Sequence, residues 1–231
     1  MLLDNTWLPS AFQPRCRPPP GYGNGALSSS LLEMPSPALY VHIPFCHSEC
    51  SYCDFYRVSY RDEVAGAFLR ALRSELSGLP RDPPPPTIYV GGGTPSALRE
   101  DQLHDLLEAL QPFRARGQEL TFEVNPKSAT PAKVDLLAQA GVTRVSFGAQ
   151  TFNAGALRML GRRHGPEDIE RVYGLLRQCI PSISFDLIFA LPGQTLEAWD
   201  LDLSSALRLS PDHLSVYSLI HEPGTPLTRE I

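Results

Sequence analysis

Three cysteines stand close together in the stretch "CHSECSYC", which runs from Cys46 through Cys50 to Cys53. Their spacing is C-x3-C-x2-C. Three thiolates from one short loop can hold three corners of a cubane [4Fe-4S] cluster, because each cysteine binds one iron. The fourth iron of such a cluster is then free for an exogenous ligand. The spacing therefore favours an iron–sulfur site with one open position.

Two other interpretations of the same cysteines stay open at this stage. A zinc site would need His42 or His47 as its fourth ligand, although zinc sites more often use C-x2-C pairs. Disulfides are the second alternative, but this clustering in a long chain is not typical of a secreted disulfide scaffold. Cys179, farther along in "RQCIPSISF", has apolar neighbours, which favour a buried thiol.

From residue 38 onward, short strand-like segments alternate with longer amphipathic ones. Strands are predicted for 38–43, 87–90, 119–124, 143–150, 182–189 and 213–220. Helices are predicted for 62–78, 99–111, 131–141, 154–160, 166–178 and 195–208. This alternation indicates a parallel sheet covered by helices, which is an α/β fold.

Several of the predicted strands alternate between polar and apolar side chains. Glu123, Gln150 and Asp186 lie on the polar faces of their strands, toward the carboxyl ends. A closed eight-stranded barrel fills its interior with branched apolar side chains, and its active site lies at the carboxyl ends of the strands. A polar interior and only six units therefore predict a partial (β/α)6 TIM-like barrel with a ligand at the strand ends.

The composition limits the kinds of partner. The chain has 231 residues, of which 42% are hydrophobic and 19% charged, enough to bury a sizeable core. A net charge of −5 without a basic stripe gives no support to a nucleic-acid partner. The first 36 residues, rich in Pro, Gly and Ser, predict a disordered extension ahead of a core domain over 37–231. They lack the pattern of a secretory signal, so a cytoplasmic location is expected.

Eight segments, taken in order over residues 38–231, carry a resemblance to one protein family. They are "LYVHIPFC", "CSYCDF", "IYVGGGTPS", "FEVNP", "RVSFGAQTF", "LGRRH", "DLIFALPGQT" and "LSVYSLIHEPGTPL". Together they resemble radical S-adenosylmethionine (SAM) proteins, in particular the group of oxygen-independent coproporphyrinogen III dehydrogenases (HemN) and HemW-type haem chaperones. The resemblance implies a [4Fe-4S] cluster, with SAM bound across the strand ends.

The resemblance also implies which residues contact SAM. The glycines of "GGGTPS" permit a close approach of the backbone to a ligand, and a carboxylate suits the positive sulfonium of SAM. The implied contacts are Tyr40, Tyr52, Gly92, Gly93, Thr94, Glu123, Gln150, Arg162, Asp186 and the backbone of Ile220.

One position separates the two subgroups. The dehydrogenases carry a further cysteine two positions after the third cluster cysteine, where this chain has Phe55. That difference favours a HemW-like haem chaperone over a coproporphyrinogen III dehydrogenase, which performs oxidative decarboxylation. A third hypothesis is a catalytically silent barrel whose cluster is structural. Family members continue beyond the position of Ile231, so the family's C-terminal domain is expected to be absent here.

The haem-chaperone hypothesis brings its own partners. The resemblance implies haem or another porphyrin, a flavodoxin- or ferredoxin-like electron donor and a haem-accepting respiratory protein, with a peripheral association with a membrane. The residues alone do not select a haem ligand among His42, His47, His164 and His221.

Overall fold

A computed structural model describes residues 37–229 of the chain. The strands are β1 (Leu39–Ile43), β2 (Phe45–Cys46), β3 (Val58–Ser59), β4 (Thr87–Gly92), β5 (Glu119–Val124), β6 (Arg144–Gln150), β7 (Ser182–Phe189) and β8 (His213–Ser218). The α-helices are α1 (Asp62–Ser77), α2 (Glu100–Leu110), α3 (Pro131–Gln139), α4 (Ala154–Met159), α5 (Pro166–Arg177), α6 (Leu196–Arg208) and α7 (Pro226–Arg229). The predicted disordered extension over 1–36 lies outside the described residues.

Six of the strands form one parallel sheet in the order β1-β4-β5-β6-β7-β8. β1 and β8 therefore lie at the two ends of the sheet, and each pairs with one neighbour only within 37–229. The predicted α/β fold, a partial (β/α)6 TIM-like barrel, is confirmed. Because every pairing is parallel, the carboxyl ends of all six strands meet at one end of the barrel.

The helices form because their apolar residues recur at helical spacing. On α2 the buried side chains Leu103, Leu106, Leu107 and Leu110 make one stripe that faces the sheet. Thr130, Asn153 and Thr195 begin the helices α3, α4 and α6, and each side chain accepts a hydrogen bond from the backbone amide three residues later. The apolar faces of the strands, with Phe147 and Phe185 fully buried, complete the core.

A second, two-stranded sheet holds the base of the cysteine loop. β2 and β3 pair in parallel, with Phe45 opposite Val58 and Cys46 opposite Ser59. The loop between them is fixed at its middle, because the backbone amide of Ser51 donates to the Leu160 carbonyl over 3.1 Å. A loop without strands was predicted here, so this strand pair was not expected from the sequence.

Within the part of the chain that the structure describes, no helix combines the length and the apolar character needed to cross a bilayer.

Candidate functional site

A cavity of about 340 Å³ lies between the cysteine loop and the carboxyl ends of the strands. Eleven of the thirteen predicted site residues line it. They are Cys46, Cys50, Cys53, Tyr52, Gly92, Gly93, Thr94, Glu123, Gln150, Arg162 and Asp186. The fold thus brings residues of five strands and three loops to one cavity.

Two predicted SAM contacts do not line this cavity. Tyr40 on β1 has 57% of its surface exposed, and Ile220, just after β8, has 65% exposed. Both side chains are exposed because the sheet is open and β1 and β8 are its end strands. Their contacts with SAM stay predictions.

The three loop cysteines are free thiols, and all three line this cavity. The Sγ of Cys46 lies 3.5 Å from the Thr94 hydroxyl. Burial raises the pKa of the Cys46 and Cys53 thiols, so thiolates here need a nearby positive charge, such as a bound metal. Cys179 is exposed, so the expectation of a buried thiol was wrong.

The zinc alternative needs either His42 or His47 as its fourth ligand, and both side chains form hydrogen bonds elsewhere. His42 is bonded to the Tyr40 hydroxyl and to the Tyr56 carbonyl, each over 3.1 Å. The Nε2 of His47 bonds to the Ala97 carbonyl over 3.0 Å. Neither histidine lines the cavity with the thiols, so three cysteines with an open fourth position fit the geometry better than zinc.

Arg162 brings a guanidinium to the cysteine loop. Its Nη1 lies 3.5 Å from the Sγ of Cys50, and its Nη2 donates to the Gly148 carbonyl over 2.6 Å. The Nε of Arg162 is buried and has no partner among the described residues. A buried N–H group without an acceptor is costly, and a carboxylate ligand in the cavity would satisfy it. This orphaned donor fits the carboxylate of SAM.

The glycines of "GGGTPS" are packed too tightly for any side chain. A Cβ at Gly92 would lie 2.8 Å from the His42 ring, and the φ of Gly92 is +116°. A Cβ at Gly93 would lie 2.8 Å from the backbone of Pro44. The close packing holds this turn against the loop, which places Thr94 beside Cys46.

Two carboxylates give the cavity a negative wall. Glu123 accepts hydrogen bonds from the Tyr89 hydroxyl over 2.7 Å and from the Gly92 amide over 3.1 Å. Asp186 accepts from the Ser146 hydroxyl over 2.8 Å. Burial raises the pKa of both carboxyl groups, and the charge of Asp186 raises that of Glu123 further. A cationic ligand would relieve this repulsion, and the sulfonium of SAM carries such a positive charge.

Gln150 ends β6 in an unusual conformation. Its φ is +71°, in the left-handed region that few residues other than glycine adopt. The hydroxyl of Tyr217 donates to its Oε1 over 3.1 Å, so the carboxamide is fixed at the cavity wall.

Eight lining residues were not among the predicted site residues. They are Ser48, Phe55, Arg57, Val124, Asn125, Ser146, Gly148 and Tyr217. Strand alternation alone could have found several, because Asn125 shares the face of Glu123, and Ser146 and Gly148 share that of Gln150. No alternation or motif in the sequence marked Arg57 as a cavity residue.

Comparison with known proteins places this barrel and its cysteine loop in a class. The family model described as "Radical SAM superfamily" matches residues 40–204. The chain belongs to the radical SAM superfamily.

Within the superfamily, the chain is 38% identical over 193 residues to "Heme chaperone HemW" of Bacillus subtilis (strain 168), covering 80% of this chain and 51% of that protein. It is 35% identical over 200 residues to "Radical S-adenosyl methionine domain-containing protein 1, mitochondrial" of Danio rerio, covering 84% and 45%. Among solved structures, it is similar to coproporphyrinogen III oxidase (HemN) from Escherichia coli, with a TM-score of 0.77 and 32% identity over 85% of this chain and 48% of that one. The chain spans about half the length of the curated relatives it matches.

Proposed function

We propose that this chain binds a [4Fe-4S] cluster through Cys46, Cys50 and Cys53, binds SAM in the adjoining cavity, and acts as a haem chaperone. The observation that carries the proposal is that the groups needed to bind the cluster and SAM line the same cavity. Three free thiols, an arginine with an orphaned buried N–H and two hydrogen-bonded carboxylates lie together there.

Each wall of the cavity offers a different part of SAM a partner. In this proposal the guanidinium of Arg162 would bind the carboxylate, and the backbone of the turn at Gly92 and Gly93 would contact the amino end. Glu123 and Asp186, which line the same cavity, would contact the sulfonium and the ribose hydroxyls. When bound, the cluster and SAM would together supply one-electron radical chemistry. The residues of this chain bind, orient and enclose the pair.

Haem handling is favoured over porphyrinogen oxidation by two observations. Two relatives named "Heme chaperone HemW" are 38% identical to this chain. The position at which the dehydrogenases carry a further cysteine holds Phe55 here, and Phe55 lines the cavity. The structural similarity to the oxidase HemN supports oxidative decarboxylation of coproporphyrinogen III as the second candidate.

The remaining partners belong to the same proposal. A flavodoxin- or ferredoxin-like protein would reduce the cluster, and a haem-requiring respiratory protein would receive haem during a peripheral association with the membrane. We place these steps in the cytoplasm. Three relatives have "mitochondrial" in their names, so cell fractionation with both markers tests this location.

The test is anaerobic reconstitution of the cluster, followed by a strong reductant and SAM, with and without coproporphyrinogen III. Formation of 5′-deoxyadenosine without porphyrinogen turnover, together with stoichiometric haem binding, is the expected result. Vinyl groups formed on coproporphyrinogen would favour the dehydrogenase. A cluster that forms but leaves SAM unbound and haem unbound would favour the silent barrel.

A further inference from the structure

Arg57 lines the cavity together with the three cysteines, yet it is not one of the proposed SAM contacts. It lies directly before β3, and the pairing of β3 with β2 fixes the backbone there. The amide of Val58 donates to the Pro44 carbonyl over 2.8 Å. The amide of Tyr60 donates to the Cys46 carbonyl, also over 2.8 Å. The Arg57 side chain is only 16% exposed, so the fold places a permanent positive charge at the edge of the cysteine loop, largely shielded from water.

Glu49, which lies inside the cysteine loop, is the ion-pair partner of Arg57. The Nη2 of Arg57 donates to the Oε1 of Glu49 over 2.5 Å. The two partners differ in burial, because the Glu49 side chain is 68% exposed and does not line the cavity. Water and salt therefore screen the charge of Glu49 more than that of Arg57. Within the cavity, the positive charge of the pair outweighs the negative one.

The charge of Arg57 acts on two of the three cluster cysteines. Burial raises the pKa of the Cys46 and Cys53 thiols, and the charge of Arg57 works against that rise at both. Cys50 has a different cation beside it, because the Nη1 of Arg162 lies 3.5 Å from its Sγ. Two guanidinium groups thus accompany the three thiols, and only one of them, Arg162, is proposed to bind SAM.

We propose that Arg57 raises the reduction potential of the cluster and that Glu49 opposes this effect. The inference rests on the proposed [4Fe-4S] cluster and assigns a role to the ion pair beside it. One electron from a low-potential reductant takes the cluster from [4Fe-4S]²⁺ to [4Fe-4S]⁺, and no bond or proton moves. Three thiolates already make the cluster negative, and the electron adds a further negative charge. A nearby cation therefore favours the reduced state, and a nearby anion disfavours it.

The test is a redox titration of the reconstituted chain without SAM, followed by the electron paramagnetic resonance signal of the reduced cluster. In Arg57→Gln the equilibrium constant for reduction should fall about tenfold, which lowers the potential of a one-electron couple by about 59 mV. Glu49→Gln should raise that constant, but only about two- to threefold, because the exposed carboxylate is screened. Arg57→Lys keeps the positive charge and should stay within about twofold of the parent.

The opposite signs separate an effect of charge from a purely structural contact. If the ion pair only holds the loop in place, Arg57→Gln and Glu49→Gln break the same contact and should change the cluster in the same way. If the charges act on the cluster, the two variants shift its potential in opposite directions. Should Arg57→Gln assemble no cluster, the inference still requires a raised potential in Glu49→Gln and a nearly unchanged one in Arg57→Lys, and any other result refutes it.

The matched control is the exposed ion pair of Arg208 and Glu170, which joins α6 to α5 over 3.0 Å and does not line the cavity. Arg208→Gln and Glu170→Gln should leave the potential unchanged, and iron and sulfide analysis checks that each variant carries a full cluster. A full cluster with the parent's potential in Arg57→Gln, or shifts of the same sign in Arg57→Gln and Glu49→Gln, would overturn the inference while the proposed function survives. If the parent chain assembles no cluster, the proposed function fails and the inference fails with it.

Discussion

Asp202→Ala should destabilise the fold strongly, although Asp202 lies outside the cavity. Asp202 is on α6 and only 3% exposed. Its carboxylate accepts hydrogen bonds from the Thr151 hydroxyl over 2.7 Å, the Phe152 amide over 2.7 Å and the Gln194 side chain over 3.3 Å. These donors belong to the β6–α4 and β7–α6 connections, so one carboxylate ties both to α6.

The size of the effect follows from the donors left behind. Thr151 is fully buried, and a buried donor without an acceptor costs about 1–3 kcal/mol. Two such donors, Thr151 and the Phe152 amide, give about 2–6 kcal/mol. Removing the carboxylate also has a favourable effect that offsets part of this cost. The parent buries a charged group, as the raised pKa of Asp202 indicates, and no cation pairs with it among the described residues. We expect a net loss of about 2–4 kcal/mol.

Urea denaturation followed by circular dichroism measures this loss. Asp200→Ala, an exposed position on the same helix, is the matched control and should change the free energy of unfolding by at most about 0.5 kcal/mol. Asp202→Asn, which keeps one acceptor, should fall between the two. A loss below about 1 kcal/mol for Asp202→Ala, or equal to that of Asp200→Ala, would refute the reasoning.

Two further predictions concern the cavity walls. Gly92→Ala should cost about 2 kcal/mol or more, because the new Cβ meets the His42 ring at 2.8 Å with φ at +116°; Gly174→Ala, on α5 with open space around it, should stabilise by about 0.5–1 kcal/mol. Equal denaturation midpoints for the two would contradict this. The folded-state pKa of Glu123 is raised, so the stability it contributes is complete below its unfolded pKa and is lost as pH rises through the folded value. Glu123→Gln should therefore raise the urea midpoint at pH 7 relative to the parent, with the difference shrinking at acidic pH, while SAM affinity falls; a gap that widens on acidification would show the wrong sign.

Much of the barrel was predictable because apolar residues recur at every second position in half-buried strands and at every third or fourth position in amphipathic helices. β5 and β7 begin and end where the alternation predicted, at 119–124 and 182–189. The same alternation put Glu123 and Asp186 on the inner face. The β2–β3 pair was missed because two-residue strands carry no period.

Burial at the ends of the sheet also escaped prediction. Alternation places Tyr40 on the same face as the cavity residues, yet its ring is exposed because β1 has no neighbour on one side. The exposure of Tyr40 depends on the position of β1 in the sheet, and the alternation of residues within one strand does not reveal that position. The left-handed φ of Gln150 is likewise set by tertiary contacts, since glutamine has no intrinsic preference for it.

The most direct test of the account is the iron and sulfide content of four single variants after anaerobic reconstitution, with the electron paramagnetic resonance spectrum recorded before and after SAM. Cys46→Ala, Cys50→Ala and Cys53→Ala should each lose the [4Fe-4S] signal, because each removes one of the three thiols that line the cavity. Cys179→Ala, the exposed cysteine outside it, should keep four irons per chain, and SAM should shift its spectrum by binding the open iron. A full cluster in any of the first three variants, or a Cys179→Ala spectrum that SAM leaves unchanged, would contradict the account.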